Sequence, residues 1–124
     1  MLVDTSAWIA FFRGDEPVAS WVDDVLAGGA ALCGVVELEL RQGLRLEERE
    51  RVLPLLGATT RLRTEEGDWA KAGDLLAGLR RRGVTIPGTD GLIAHLALKH
   101  EVALLENDKH FEHFTDLRRW RAES

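Results

Sequence analysis

Apolar residues in this chain follow two rhythms: short unbroken runs, and longer stretches spaced by three and four. The runs read as buried strands at 2–4, 30–33 and 102–105, with a weakly alternating strand candidate at 59–63. The spaced stretches predict helices. Trp8, Ile9 and Phe12 carry one over 5–13, and Val18, Trp21, Val22, Val25 and Leu26 a second, ended by Gly28 and Gly29. Gly14 and Pro17 separate the two, as a helix stop and a first-turn proline would. A third helix runs from Val35 to Leu44, and a fourth from Leu46 to Leu56 with Leu46, Val52 and Leu56 inward. A fifth, Glu65 to Arg82, places Trp69, Ala72, Leu76 and Leu79 on one buried stripe. A sixth, from Thr89 to about His100, is apolar almost all round, with His95 and Lys99 as a narrow polar stripe, and is therefore central. After the last apolar run comes a short segment, Lys109 to Phe114. A tail follows with Arg118, Arg119 and Arg121 around Trp120, open between docking on the domain and serving an interface.

Strands alternating with helices define an α/β fold: a central, mostly parallel sheet of four to five strands with helices on both faces. In such open sheets ligands bind at the carboxyl ends of the strands, and acids stand there. Asp4 and Asp108 follow apolar runs, Asp4 directly and Asp108 after Glu106 and Asn107. Asp90 opens the central helix about 180° from His95 and Lys99, so it faces inward. Glu39 falls between Val35 and Val36 on the apolar arc of its helix, while Glu37 and Arg41 turn away. Each acid alone has a plain alternative: Asp4, Asp90 and Asp108 as helix caps, Glu39 as one half of an ion pair. Four such placements are better explained by one shared site.

Composition narrows the chemistry. The 124 residues fit one domain, residues 1–124, and 45% hydrophobic with 30% charged residues describes a soluble globular protein. A net charge of −5, from 16 basic and 21 acidic residues, argues against bulk electrostatic capture of nucleic acid but leaves room for a local basic rim. The single Cys33 allows no internal disulfide and points to the cytoplasm. The longest uncharged run, Val25 to Val36, is too short to cross a bilayer, so no membrane role is expected, and the N-terminus does not read as a secretory signal.

Four carboxylates in a partly desolvated cleft raise one another's pKa, and a bound cation reverses that effect. With Cys33 alone and no zinc-like spacing among His95, His100, His110 and His113, the ligands are oxygens, which suit Mg²⁺ or Mn²⁺. Such a site acts on a phosphodiester: it activates water and offsets charge on the phosphoryl oxygens.

At these residues the sequence resembles the PIN-domain ribonucleases, and within them the VapC-type toxins of toxin–antitoxin pairs. The resemblance spans nearly the whole chain. It rests on Leu2-Val3-Asp4-Thr5-Ser6, on Glu39-Leu40-Arg41-Gln42-Gly43, on the run from Ile86 to Ala94 containing Thr89-Asp90, and on Leu104 to Phe111 containing Asn107-Asp108. It implies a PIN-like three-layer sandwich and a Mg²⁺- or Mn²⁺-dependent endoribonuclease with Asp4, Glu39, Asp90 and Asp108 as its acids. Ser6 would orient a carboxylate or a bound water, and Thr5 would support the turn. An RNA substrate, a cognate antitoxin and a homodimer are implied as well. Two positions depart from the pattern: Glu106 stands where many relatives carry Thr or Ser, and His110 where some carry Asp.

Basic side chains near the site, Arg13, Lys109 and the Arg80, Arg81, Arg82 run, are candidates to hold the RNA backbone; the arginine run also complements a helix dipole. The rival reading is a non-catalytic PIN-like RNA- or protein-binding module. A phosphoryl-accepting α/β domain is disfavoured, because no second acid stands two residues after Asp4.

Overall fold

The computed structural model describes residues 1–120. Arg121, one of the three tail arginines, lies outside the described residues. Five strands, β1 (Leu2–Val3), β2 (Ala31–Cys33), β3 (Thr60–Leu62), β4 (Leu104–Leu105) and β5 (Arg119–Trp120), form one sheet in the order β3-β2-β1-β4-β5. Every pairing is parallel, with Leu2 opposite both Ala31 and Leu104 and Leu105 opposite Trp120. The tail thus closes the sheet as its fifth strand. Trp120 docks on Trp21, ring centroids 4.9 Å apart in an edge-to-face pair.

Among the described residues, six α-helices flank the sheet: α1 (Thr5–Arg13), α2 (Val18–Gly28), α3 (Gly34–Gly43), α4 (Arg49–Gly57), α5 (Glu66–Arg81) and α6 (Gly88–Lys99). From β1 the chain steps outward through β2 to β3, then returns across the sheet to β4 on the other side of β1. Right-handed crossovers require that reversal to put α5 and α6 on the opposite face from the preceding helices. The reversal also opens a crevice between the carboxyl ends of β1 and β4, the place where open α/β sheets bind ligands. The strands are short and wholly buried where they border it: Leu2, Val3, Leu104 and Leu105 are inaccessible to solvent, as are Trp8 and Phe111 beside them.

Two expected inward positions are not inward. Leu46 is 82% exposed, because Leu46–Glu48 form a separate 3₁₀ turn before α4 begins at Arg49, and the helical phase is broken there. Trp69 is 59% exposed. The buried residue at that end of α5 is Asp68, which accepts from His95 Nε2 at 2.8 Å and Lys99 Nζ at 3.0 Å on α6 and caps the Glu65 N–H at 2.7 Å. The polar stripe of α6 therefore faces a carboxylate, and that pairing turns Trp69 outward. These bonds and the Lys99 charge hold the Asp68 carboxyl well below the ordinary carboxylate range.

α5 runs antiparallel along α6: Asp68 meets His95 and Lys99, while Leu76 meets Gly91. A Cβ at Gly91 would lie 2.5 Å from Leu76 Cγ, so glycine is what allows the two helices to approach beside Asp90. Among the described residues, no helix is long and apolar enough to cross a membrane.

Candidate metal centre

Asp4 leaves β1 at the floor of the crevice and is 3% exposed. It caps α1, its Oδ1 accepting from the Ala7 N–H at 2.9 Å, so the cap is Asp4 itself rather than Thr5 or Ser6. The cap and the cluster are the same carboxylate. Ser6 Oγ stands 2.8 and 2.9 Å from its two oxygens and accepts from the Asn107 N–H at 2.9 Å, which ties the exit of β1 to the exit of β4.

Asp90 lies in the first turn of α6, and Asp108 caps the 3₁₀ turn Lys109–His113 by accepting from the His110 N–H at 3.0 Å. One ligand atom each from Asp90, Asp108 and His110 lie within 4.8 Å of one another. His110 Nδ1 is 2.8 Å from Asp90 Oδ2 and 3.2 Å from Asp108 Oδ1. Glu39, in the second turn of α3, accepts from Thr5 Oγ1 at 2.7 Å across the α1–α3 contact. Thr5, expected to support the turn, thus positions a carboxylate. Glu106 is a further buried acid, 5% exposed, accepting from the Asp108 N–H at 2.8 Å and paired with Arg119 Nη1 at 3.5 Å.

These acids act on one another electrostatically. Burial pushes the Asp4 carboxyl up to about 7, against hydrogen bonds from Ala7 and Ser6, and the charges of Glu106 and Asp90 push it further in the same direction. Asp90 is raised as well, by burial first; the His110 bond opposes this and the charges of Asp108 and Glu39 add to it. Asp90 therefore feels Asp108 and Glu39 together, and Asp4 feels Asp90. The His110 imidazole is raised by its bond to Asp90. Among the described residues, no Lys or Arg forms an ion pair with Asp4, Asp90 or Asp108. A cluster of oxygen donors with only the His110 imidazole to offset its charge fits a divalent cation.

Two clefts reach these acids, one at Glu39 and one at Asp108. One, of about 340 Å³, runs between α1 and α3 past Glu39, with Ile9, Phe12 and Leu40 in its wall and Arg13 and Arg45 at its rim. The other, of about 310 Å³, holds Trp21, Asn107, Asp108 and Lys109. Arg13 and Lys109 thus border the site. Arg80, Arg81 and Arg82 close the end of α5 that lies towards the Asp90 end of α6.

Periodicity passes over three residues with a role in the structure: Thr5, His110 and, at the end of α6 away from the site, Asp68. Thr5 is adjacent to Asp4, and hydroxyl residues after a strand-end acid commonly bond a neighbouring carboxylate. Asp68 was the partner that the His95 and Lys99 stripe required. His110 shows no metal-ligand spacing in the sequence, because only Asp108 is near it in the chain and Asp90 lies 20 residues away.

The family model for the PIN domain matches residues 1–117. Ribonuclease VapC11 of Mycobacterium tuberculosis is 29% identical over 119 residues, covering 90% of this chain and 89% of the relative. Among solved structures, VapBC2 from Rickettsia felis bound to a promoter DNA fragment superposes with a TM-score of 0.78 at 18% identity, covering 96% of each chain. FitAcB from Neisseria gonorrhoeae superposes with a TM-score of 0.72 at 25% identity, covering 97% of this chain and 96% of that one.

Proposed function

The chain belongs to the PIN-domain family, and from that membership we propose that it is a metal-dependent endoribonuclease acting as the toxin of a toxin–antitoxin pair. The observation that supports the reading is the approach of Asp90, Asp108 and His110 within 4.8 Å of one another near the sheet's topological switch, with Asp4 raised in part by the charge of Asp90, and Asp90 by that of Glu39. The curated relatives are named ribonucleases.

Asp4, Asp90, Asp108 and Glu39 would hold Mg²⁺ or Mn²⁺. When bound, the ion would lower the pKa of a water and offset charge on the phosphoryl oxygens. The chain's own contribution is positioning. Ser6 fixes the Asp4 carboxylate by contacts to both oxygens and holds the 106–108 loop against it. Thr5 holds Glu39 in place from α1. The buried floor of Leu2, Val3, Leu104 and Leu105 keeps bulk water from beneath the site. Arg13 and Lys109, each lining one of the two clefts, would hold the RNA backbone.

The partners follow the same reading. The cleft past Glu39, apolar along Ile9, Phe12 and Leu40 with charged rims, would take a segment of a cognate antitoxin. A homodimer in the cytoplasm is part of the proposal. Trp21 and Trp120 pair with each other and are partly buried, whereas Trp69 on α5 is exposed.

The test is incubation of the purified chain with a mixed RNA pool in Mn²⁺ and in chelator. Cleavage that needs metal and is lost in Asp4→Asn supports the enzyme. Tight RNA binding without cleavage in Mn²⁺ supports the binding module instead.

A further inference from the structure

His110 is placed as a ligand is placed. Nδ1, the nitrogen turned into the cluster, lies 2.8 Å from Asp90 Oδ2 and 3.2 Å from Asp108 Oδ1. In the Nε2–H tautomer its lone pair therefore points to the same small volume as the carboxylate oxygens. The backbone fixes this position: the His110 N–H is bonded to Asp108, and the next residue, Phe111, is fully buried. The ring itself is 44% exposed, so it walls the solvent side of the cluster without filling the core.

The chain's other histidine–acid cluster shows the contrast. Asp68 is met by His95 and by Lys99, a closed set whose charge is matched within it. Asp90 and Asp108 have no such lysine or arginine among the described residues, and Asp4 and Glu39 add negative charge beside them. One imidazole does not balance that set. Three donors within 4.8 Å of one another, two oxygens and one nitrogen, are left converging on a point.

We propose that His110 is a nitrogen ligand of the metal held by Asp90 and Asp108, and that the site for this reason favours first-row transition-metal dications, Mn²⁺ among them, over Mg²⁺. This rests on the reading of the acids as metal ligands. Mg²⁺ is a hard cation that takes oxygen ligands and retains its waters. An imidazole in the ligand set adds affinity for the borderline dications of the first row and little for Mg²⁺.

Two measurements on the full chain test this without RNA. Pulsed electron paramagnetic resonance of the Mn²⁺-loaded protein reads directly whether a nitrogen is bound. The expected result is ¹⁴N modulation in the wild type that disappears in His110→Gln. Calorimetric titration with Mn²⁺ and with Mg²⁺ reads selectivity: His110→Asp, which restores an all-oxygen set, is expected to lower the Mn²⁺/Mg²⁺ affinity ratio by about tenfold or more. Circular dichroism confirms that both variants fold. Mn²⁺ bound with no nitrogen modulation, modulation that survives in His110→Gln, or an unchanged ratio in His110→Asp overturns the ligand assignment and leaves the acid site standing. Absence of Mn²⁺ binding in the wild type overturns both.

Discussion

Ser6 Oγ sits 2.8 and 2.9 Å from the two oxygens of Asp4 while accepting from the Asn107 N–H at 2.9 Å. One hydroxyl thus joins the strand that carries the first acid to the loop that carries the last. Ser6→Ala releases the Asp4 carboxylate and leaves the Asn107 N–H without its acceptor. The expected cost is about 1–2 kcal/mol of stability, with a fall of about tenfold or more in metal affinity. Urea unfolding and calorimetric Mn²⁺ titration read the two effects, and Ser6→Thr, which keeps the hydroxyl, is expected to restore most of both.

Thr5 acts on Glu39 alone. Thr5→Val keeps the shape of the side chain and removes the 2.7 Å bond to Glu39 Oε1. Stability should change by only about 1 kcal/mol, while kcat for RNA cleavage falls with KM little changed. Thr5→Ser should retain kcat. A kcat unaffected by Thr5→Val would show that Glu39 needs no such support.

The buried acids set a pH dependence of unusual sign. The Asp4 carboxyl is raised to about 7, while in an unfolded chain it sits near the ordinary 3.8. Between those values the folded state binds the proton more tightly than the unfolded state. The stability this confers is full at low pH and is lost as pH rises through about 7. Asp90 and His110 are also raised and act in the same direction. The metal-free chain should therefore be less stable at pH 8 than at pH 5.5, by on the order of a few kcal/mol. Asp68, held low, loses its contribution only as pH falls below the unfolded carboxylate range, so it does not obscure this window. Asp4→Asn keeps an acceptor for the Ala7 N–H, since asparagine caps helices well, and should flatten the dependence. Urea midpoints across pH in chelator check it; a wild type that gains stability towards pH 8 would contradict the charge crowding described here.

Gly91 lets α5 and α6 touch next to Asp90. Gly91→Ala places a methyl 2.5 Å from Leu76 Cγ, which is not the free end of a flexible side chain. Overpacking of this kind costs about 1–3 kcal/mol. Thermal unfolding should show the loss, and Leu76→Ala in the same chain should recover part of it by making room.

Much of the fold is legible in the sequence alone. The apolar runs at 2–4, 30–33 and 102–105 became β1, β2 and β4, because a fully buried parallel strand has little choice but to be apolar. The inward phase of Asp90 held because α6 is apolar on nearly every other side, leaving His95 and Lys99 to face Asp68 and Asp90 to face His110. Helical phase misled at Trp69 and Leu46, where a buried carboxylate in one case and a 3₁₀ turn in the other decided which residue faced in. The role of Thr5 and the burial of Glu106 depend on contacts between segments distant in sequence, and periodicity within one segment carries no information about those. The fifth strand, Arg119–Trp120, is too short to announce itself and is defined by its pairing with β4.

The central claim is that Asp4, Glu39, Asp90 and Asp108 form one cation site. Anomalous scattering from crystals grown with Mn²⁺ tests it most directly. The account predicts a peak in the crevice between the ends of β1 and β4, within ligand distance of Asp90 and Asp108 and bordered by Asp4. A chain that cleaves RNA in Mn²⁺ yet shows its bound ion elsewhere, or none in that crevice, would contradict it.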